Sequence, residues 1–405
     1  MKKIVLCGMM LFSLSFALFA GGGQQGGESV RRVLDAPSGQ PVVPPDTDFE
    51  VIQNTDGRTL TIKDYKGSAS NIAIPATLWG LPVTIINEGA FEGLGLFGVV
   101  IPEGVITIGK EAFARGQLTS VAIPNTVITI GDSAFSANKL TSVIIPDSVS
   151  SIGLSAFANN QLASVTLGKG LTTINASTFV NNLLNSVTIP EKVSTIGDNA
   201  FSNNKLISVI IPDSVSSIGS SAFANNQLAS VTLGRGLITI NDSAFANNLL
   251  SSLTILGNIT AIGQSAFANN LLSSVTIPDS VSDIGSSAFN ANQLISFTMG
   301  NRVTTIKSST FANNQLTNVI IPNSVTIIEG NAFANNQISS LTLGRGLNSI
   351  GSKAFSGNQV TSITIARDFP GINKDQFGEN FINFYVSQGR TPGTYISNGP
   401  IWLKR

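Results

Sequence analysis

The chain has 405 residues, and its 23 Lys+Arg balance its 23 Asp+Glu; zero net charge speaks against a polyanion binder, whose phosphate contacts need excess Lys and Arg. There is no histidine, and the one cysteine is Cys7, so Ser-His-Asp and Cys-His catalysis, disulfides and thiolate metal sites are excluded beyond the first few residues. Charged residues make up only 11% against 42% hydrophobic, which leaves Asn, Ser and Thr to supply most of the polar surface.

Residues 1–20 read MKKIVLCGMMLFSLSFALFA: a basic start at Lys2 and Lys3, an apolar stretch from Ile4 to Phe19, then small residues from Ala20 to Gly23. This is the layout of a secretory signal peptide, and its apolar stretch is short for a membrane span. We assign residues 1–22 to it, with cleavage after Ala20 or Gly22; an uncleaved N-terminal anchor is the alternative. A lipoprotein would need a cysteine at the cleavage point, where glycines stand. Residues 23–47, rich in Gly, Gln and Pro and without apolar period, read as a flexible linker.

Residues 48–90 are expected to form an N-terminal cap and a modified first repeat. Phe49–Ile52 and Thr59–Ile62 are short β-type runs around Asp56-Gly57, a strong hairpin signal. Five extra residues fall around Leu78-Trp79-Gly80-Leu81-Pro82, compared with the units that follow.

From residue 91 the chain repeats. Phenylalanine stands at 91, 113, 135, 157, 179, 201, 223, 245, 267, 289, 311, 333, 355 and 377, one spacing of 22 residues without insertion or deletion. A fixed period of this size marks a solenoid, whose units each touch only their neighbours. Five further columns are nearly always aliphatic, at the fifth, eighth, tenth, fourteenth and seventeenth residues after each Phe (Leu206, Val209, Ile211, Val215 and Ile218 in one copy). The eighth and tenth alternate with Ser and with Thr or Ile, which reads as a short strand. Proline follows at 102, 124, 146, 190, 212, 278 and 322 and glycine at 168, 234, 300 and 344, ending the strand or turning the chain. No segment has a helix-length amphipathic period. The array is assigned to 91–377, and 378–405, which hold two of the three Tyr and one of the two Trp, to an aromatic C-terminal cap. Residues 135–200 and 201–266 are near copies, a duplication of three units that suits a length-tolerant surface better than one unique pocket.

Four rows invite a chemical reading. The paired asparagines (Asn159-Asn160, Asn225-Asn226) suit turn backbone, which amides satisfy through donor and acceptor together. The row Glu103, Asp147, Glu191, Asp213, Asp279 suggests calcium, but Lys169, Arg235, Arg345 and Arg367 share its column, so a solvated turn row is favoured. Ser164/Thr166, Ser186/Thr188, Ser230/Thr232, Ser252/Thr254 and Ser274/Thr276 form two hydroxyl rows that would suit an ordered lattice such as ice or a polysaccharide. Ile144, Ile210 and Ile320 interrupt the Thr row and suit protein contact better. Gly-x-Gly at 234/236 and 344/346 precedes no helix, so it makes no dinucleotide site. No catalytic, cofactor-binding, metal-binding or ligand-binding residue stands out from the repeat, and no cofactor is expected.

The unit L-x-x-V-x-I-P-x-x-V-x-x-I-G-x-x-A-F over about residues 70–377 resembles the BspA-like, treponemal type of leucine-rich repeat. DGRTLTIKDYKG at 56–67 and GLPVT at 80–84 are similar to that family's first module. The family often has Cys three residues after Phe, where this chain mostly has Asn. The resemblance implies a leucine-rich solenoid with strands on its concave side. It also implies a surface or secreted bacterial protein that attaches to host matrix proteins, host cells or other bacteria, and it offers no catalytic residue to carry over. The expectation is therefore a β-rich solenoid of 22-residue repeats with stacked parallel strands, little α-helix and capped ends. Its function would be exported, non-enzymatic binding of protein or cell-surface partners, with neither nucleic acid nor a membrane span in the mature chain. A structural envelope protein without external ligand is the alternative.

Overall fold

Each repeat unit closes one coil because its apolar columns all turn inward. In the unit 201–222, Phe201, Leu206, Val209, Ile211, Val215 and Ile218 are each at most 3% exposed. The computed structural model describes residues 40–369, 371–372 and 374–405. The expected signal peptide, 1–22, and most of the expected linker lie outside the described residues. Among the described residues no helix is long and apolar enough to cross a membrane.

Most coils carry a pair of strands. The longer covers the S-V-T or S-V-I run (Ser208–Ile210), the shorter the residues just before the next Gly or Asn (Ser217–Ile218). Each stacks in parallel on its copy in a neighbouring coil: Val209 opposite Val231, and Ile196 opposite Ile218. Because no unit gains or loses a residue, every column lands on itself and one continuous core runs through the array.

The Phe corner is the most heavily bonded part of each coil. Rings of successive coils stack with centroids 5.0 to 5.7 Å apart from Phe91 to Phe377. Residues two before and two after the Phe adopt left-handed backbone: Ser221 and Asn225, both at φ 56°, flank Phe223. Asn tolerates that region better than most residues. The resulting turn aims alternate N–H groups at the next coil. Ser221 donates to the Asp242 carbonyl (2.9 Å), Phe223 to Ala244 (2.9 Å) and Asn225 to Ala246 (3.0 Å).

The ends depart from the period. Phe49–Gln53 and Leu60–Tyr65 form the expected hairpin, with the Asp56 carboxylate accepting from the N–H groups of Arg58 and Thr59. Leu60–Tyr65 also pairs in parallel with Leu81–Ile86, and Tyr65 stacks on Phe91 at 5.5 Å. The aromatic spine thus starts one coil before the first periodic Phe, a step hidden because this coil is longer than those that follow. The extra residues there form a tight hairpin, Thr77–Leu78 against Leu81-Pro82, turning through Trp79 and Gly80 at φ 47° and 79°. One boundary is corrected: the segment 40–47 was expected to be linker, yet Val42 bridges Ile72 and exchanges backbone hydrogen bonds with Asn71 and Ala73. Pro44 is buried beside it. The strand Asn71–Ala73 supplies the reason, since the side away from Gly98–Val100 offers backbone groups that Val42 takes up.

At the far end the helix Glu379–Ser387 and the hairpin Gly393–Asn398/Ile401–Lys404 close the core. Phe381 meets Phe377 edge-on at 5.6 Å and Trp402 at 4.7 Å, while Gly393–Asn398 pairs antiparallel with Ser362–Ile365. That helix and the short Lys374–Phe377 are the α-helices among the described residues.

Candidate interaction surface

The outward residues of the long strands form the broadest uniform surface. They occupy the sixth, seventh and ninth places after each Phe. Across thirteen coils, from Phe97 to Thr364, none of these residues is charged. Ser164, Thr166, Ser230, Thr232, Ser274 and Thr276 are exposed and their hydroxyls make no hydrogen bond among the described residues. Ile144, Ile210 and Ile320 stand out from these rows at 68%, 69% and 71% exposure, and Phe97, Ile207 and Ile295 add apolar spots in the neighbouring column. The sequence placed the hydroxyl rows and the interrupting isoleucines correctly on one outward face.

The asparagines belong to the fold. Asn226 is buried: its Oδ1 accepts from the Leu206 N–H at 3.0 Å, and its Nδ2 donates to the carbonyls of Phe201 (2.9 Å), Phe223 (3.1 Å) and Ala224 (3.2 Å). The same set recurs from Asn138 to Asn358. Each buried amide ties its own turn to the coil before. The exposed asparagine beside it forms a second ladder, with Asn247 Nδ2 on Asn225 Oδ1 at 2.8 Å. The buried column is fully engaged with backbone, and the exposed one is engaged chiefly with itself.

The acidic turn row is more than solvated surface. Asp147, Asp213 and Asp279 each accept, through Oδ1 at 2.8 Å, the backbone N–H of the next coil's turn residue: Lys169, Arg235 and Asn301. Sequence missed this role because side-chain charge, the visible signal in that column, is not what the carboxylates meet. Among the described residues no group of three acidic, Cys or His residues is placed to hold a metal ion.

The glycines that alternate with proline carry another unread signal. A Cβ on Gly168 would lie 2.1 Å from the Pro146 carbonyl oxygen, and one on Gly170 2.4 Å from that of Asp147. Gly234 and Gly236 meet Pro212 and Asp213 at 2.2 and 2.3 Å. Gly-x-Gly is therefore a close-packing device between neighbouring coils. It also keeps the strand ladder intact, as where the Gly300 N–H donates to the Ile277 carbonyl at 2.9 Å. Proline in that place has no N–H to give. The coils of Gly168, Gly234, Gly300 and Gly344 pair with their predecessors. The long-strand sheet breaks ahead of Pro146, Pro190, Pro212, Pro278 and Pro322, and also ahead of Leu256, which has an N–H to give. The coils of Pro102 and Pro124 stay paired, so proline neither always opens a joint nor is required for an open one, whereas each coil with glycine in that place is paired to its predecessor. At the Pro190 joint a cleft of about 450 Å³ lies between the coils, with Val165, Leu167, Ile189 and Pro190 on its walls.

Among curated proteins no sequence matches this chain. Solved structures share its fold. A leucine rich cell surface protein from Faecalibacterium prausnitzii A2-165 is 24% identical over 84% of this chain and 97% of its own, with a TM-score of 0.52. A leucine-rich repeat protein from Bacteroides ovatus is 19% identical over 76% of this chain and 91% of its own, with a TM-score of 0.51. The family model of the BspA type leucine rich repeat region matches residues 84–207, 194–317 and 304–391. With its coils matched in register over that span, the chain belongs to the BspA-type leucine-rich repeat family.

Proposed function

We propose that this chain is an exported protein without catalytic chemistry of its own, which holds protein or cell-surface partners against its long-strand face. The observation that carries the reading is the thirteen-coil face without a charge, in which unbonded hydroxyls surround isolated exposed isoleucines. Depletion of charge at the centre with apolar anchors is what a protein-binding patch requires. Many similar weak contacts add by avidity when copies are displayed together. The signal-like residues 1–22 support export, and a similar protein from Faecalibacterium prausnitzii is described as a cell surface protein.

The test is saturable binding of the purified protein to matrix proteins, glycans and bacterial surfaces, against an unrelated solenoid of equal length. Binding above that control is expected to be nearly independent of salt. The pair Ile207→Asp and Ile210→Asp should weaken it roughly tenfold, since buried apolar anchors cost about 1–2 kcal/mol or more to lose. Binding no better than the control across the panel would remove the adhesive reading. A structural envelope role is the second reading, and the edge strand Ile401–Lys404 favours it. Its outer side is unpaired among the described residues, and Ile401 and Leu403 are 62% and 56% exposed, a template for pairing copies of the chain. Concentration-dependent association that Leu403→Lys abolishes would support that role.

A further inference from the structure

The geometry points to the cleft at the Pro190 joint as a binding site for a small amphiphilic acid, an apolar tail carrying one carboxylate. Three features meet there. Its volume, about 450 Å³, is within the range of small-molecule sites, which are mostly apolar with a few placed polar groups. The walls are Val165, Leu167, Ile189 and Pro190, at a joint where the long-strand ladder is open and Pro190 has no N–H with which to close it. The rim carries Lys169, Glu191 and Lys192, and none of these has an ion-pair partner among the described residues. Two cations and one anion leave a single positive charge, which matches one carboxylate head rather than a dianion or an amine.

The position of Lys169 is set by the fold. Its backbone N–H is held by the Asp147 carboxylate at 2.8 Å, and Gly168 and Gly170 on either side press against the preceding coil. The duplicated triplet supplies an internal comparison. Val231, Leu233, Arg235 and Ile255 repeat Val165, Leu167, Lys169 and Ile189, but Leu256-Gly257-Asn258 replace Pro190-Glu191-Lys192. The second copy therefore lacks the proline and the second cation, and the site is assigned to the first copy alone.

Binding of dodecanoate to the full chain, followed by calorimetry below its micelle-forming concentration, tests this. One saturable site is expected, with dodecylammonium binding more weakly. Lys169→Gln with Lys192→Gln should weaken dodecanoate roughly threefold to tenfold, as two exposed charge contacts allow. Thr188→Trp, which fills the mouth of the cleft, should abolish binding, and Arg235→Gln should leave it unchanged. All four proteins must melt together, so that lost binding is not lost folding. Equal affinity for dodecylammonium, or binding that survives Thr188→Trp, would overturn the assignment. The inference does not rest on the adhesive reading: Lys169→Gln with Lys192→Gln lies outside the uncharged rows and leaves Thr188, Ile207 and Ile210 untouched, so the two readings can fail separately.

Discussion

Two corners of the same coil are built on opposite rules. At the Phe corner every unit from Phe135 to Phe333 repeats the same bonds: a stacked ring, three N–H groups aimed at the next coil and an Asn that reaches back to the last. At the opposite corner proline and glycine trade places, and the long-strand sheet is interrupted at several joints, none of which leads into a glycine coil. A solenoid needs only one side fully bonded to hold its register, because stability is summed over neighbouring coils. The other side is then free to vary, and that is where the cleft lies.

If the Phe corner carries the register, its loss should cost most. Phe223→Ala removes a ring with 0% exposure that stacks on Phe201 and Phe245 at 5.4 and 5.5 Å. A destabilisation of about 3–5 kcal/mol is expected, read from denaturant unfolding. A variant that unfolds with the wild type would take the Phe column out of the core. Asn226→Ala should follow at about 1–3 kcal/mol, since it leaves the buried Leu206 N–H without a partner, while the carbonyls of Phe201, Phe223 and Ala224 keep donors from Asn204, Asn248 and the Asn203 N–H. An Asn226→Ala protein as stable as the parent would mean that water replaces the amide freely, and the comparison between corners would lose its basis.

The variable corner offers a sharper contrast between two glycines of neighbouring coils. Gly234→Ala forces a methyl to within 2.2 Å of the Pro212 carbonyl oxygen, where backbone must move. We expect about 1–3 kcal/mol of destabilisation, the usual range for overpacking. Gly257→Ala meets nothing within 4 Å and should change stability by less than about 0.5 kcal/mol. Equal effects at the two positions would show that close packing is not what glycine is for at 234.

Much of this architecture was legible because one period governs it. The recurring Phe marked the spine, and the Val, Ile and Leu columns marked which residues point inward. The isoleucines at 144, 210 and 320 could be placed on the outer face by alternation alone. What escaped were features that depend on the neighbouring coil and not on the residue itself. Gly168 and Gly234 looked like ordinary turn residues, but their purpose is set by a carbonyl of the coil before. Asp147 and Asp213 looked like surface charge, but they hold the next coil's backbone. Tyr65 was hidden by an enlarged coil, and Val42 by a Pro-rich context that reads as linker. The cleft at Pro190 lies where the long-strand ladder is open, which becomes visible only once the stacking partner is known.

The smallest effect expected is in the C-terminal cap and concerns pH. The Tyr385 side chain is buried, and burial raises its pKa above the ordinary 10.0, with the nearby Tyr395 and Asp368 adding to it. Its hydroxyl donates to the Arg390 carbonyl at 2.9 Å, a bond the phenolate would lose. A group whose folded pKa lies above its unfolded value stabilises fully below the unfolded pKa and loses that contribution as pH rises through the folded one. The cap should therefore hold up to about pH 10 and loosen above it, with Tyr65, raised by burial in the same direction, adding to the trend at the other end. Because the chain has no histidine, no side chain with an ordinary pKa titrates near neutrality, and stability should be nearly flat from about pH 6 to 9. Trp402 packs against Phe381 at 4.7 Å and reports on the cap by fluorescence in a Trp79→Phe background. If Tyr385 is the titrating group, Tyr385→Phe removes the alkaline change in Trp402 emission. A variant that still loosens above about pH 10 would assign the transition to other groups and leave the cap's closure to ring packing alone.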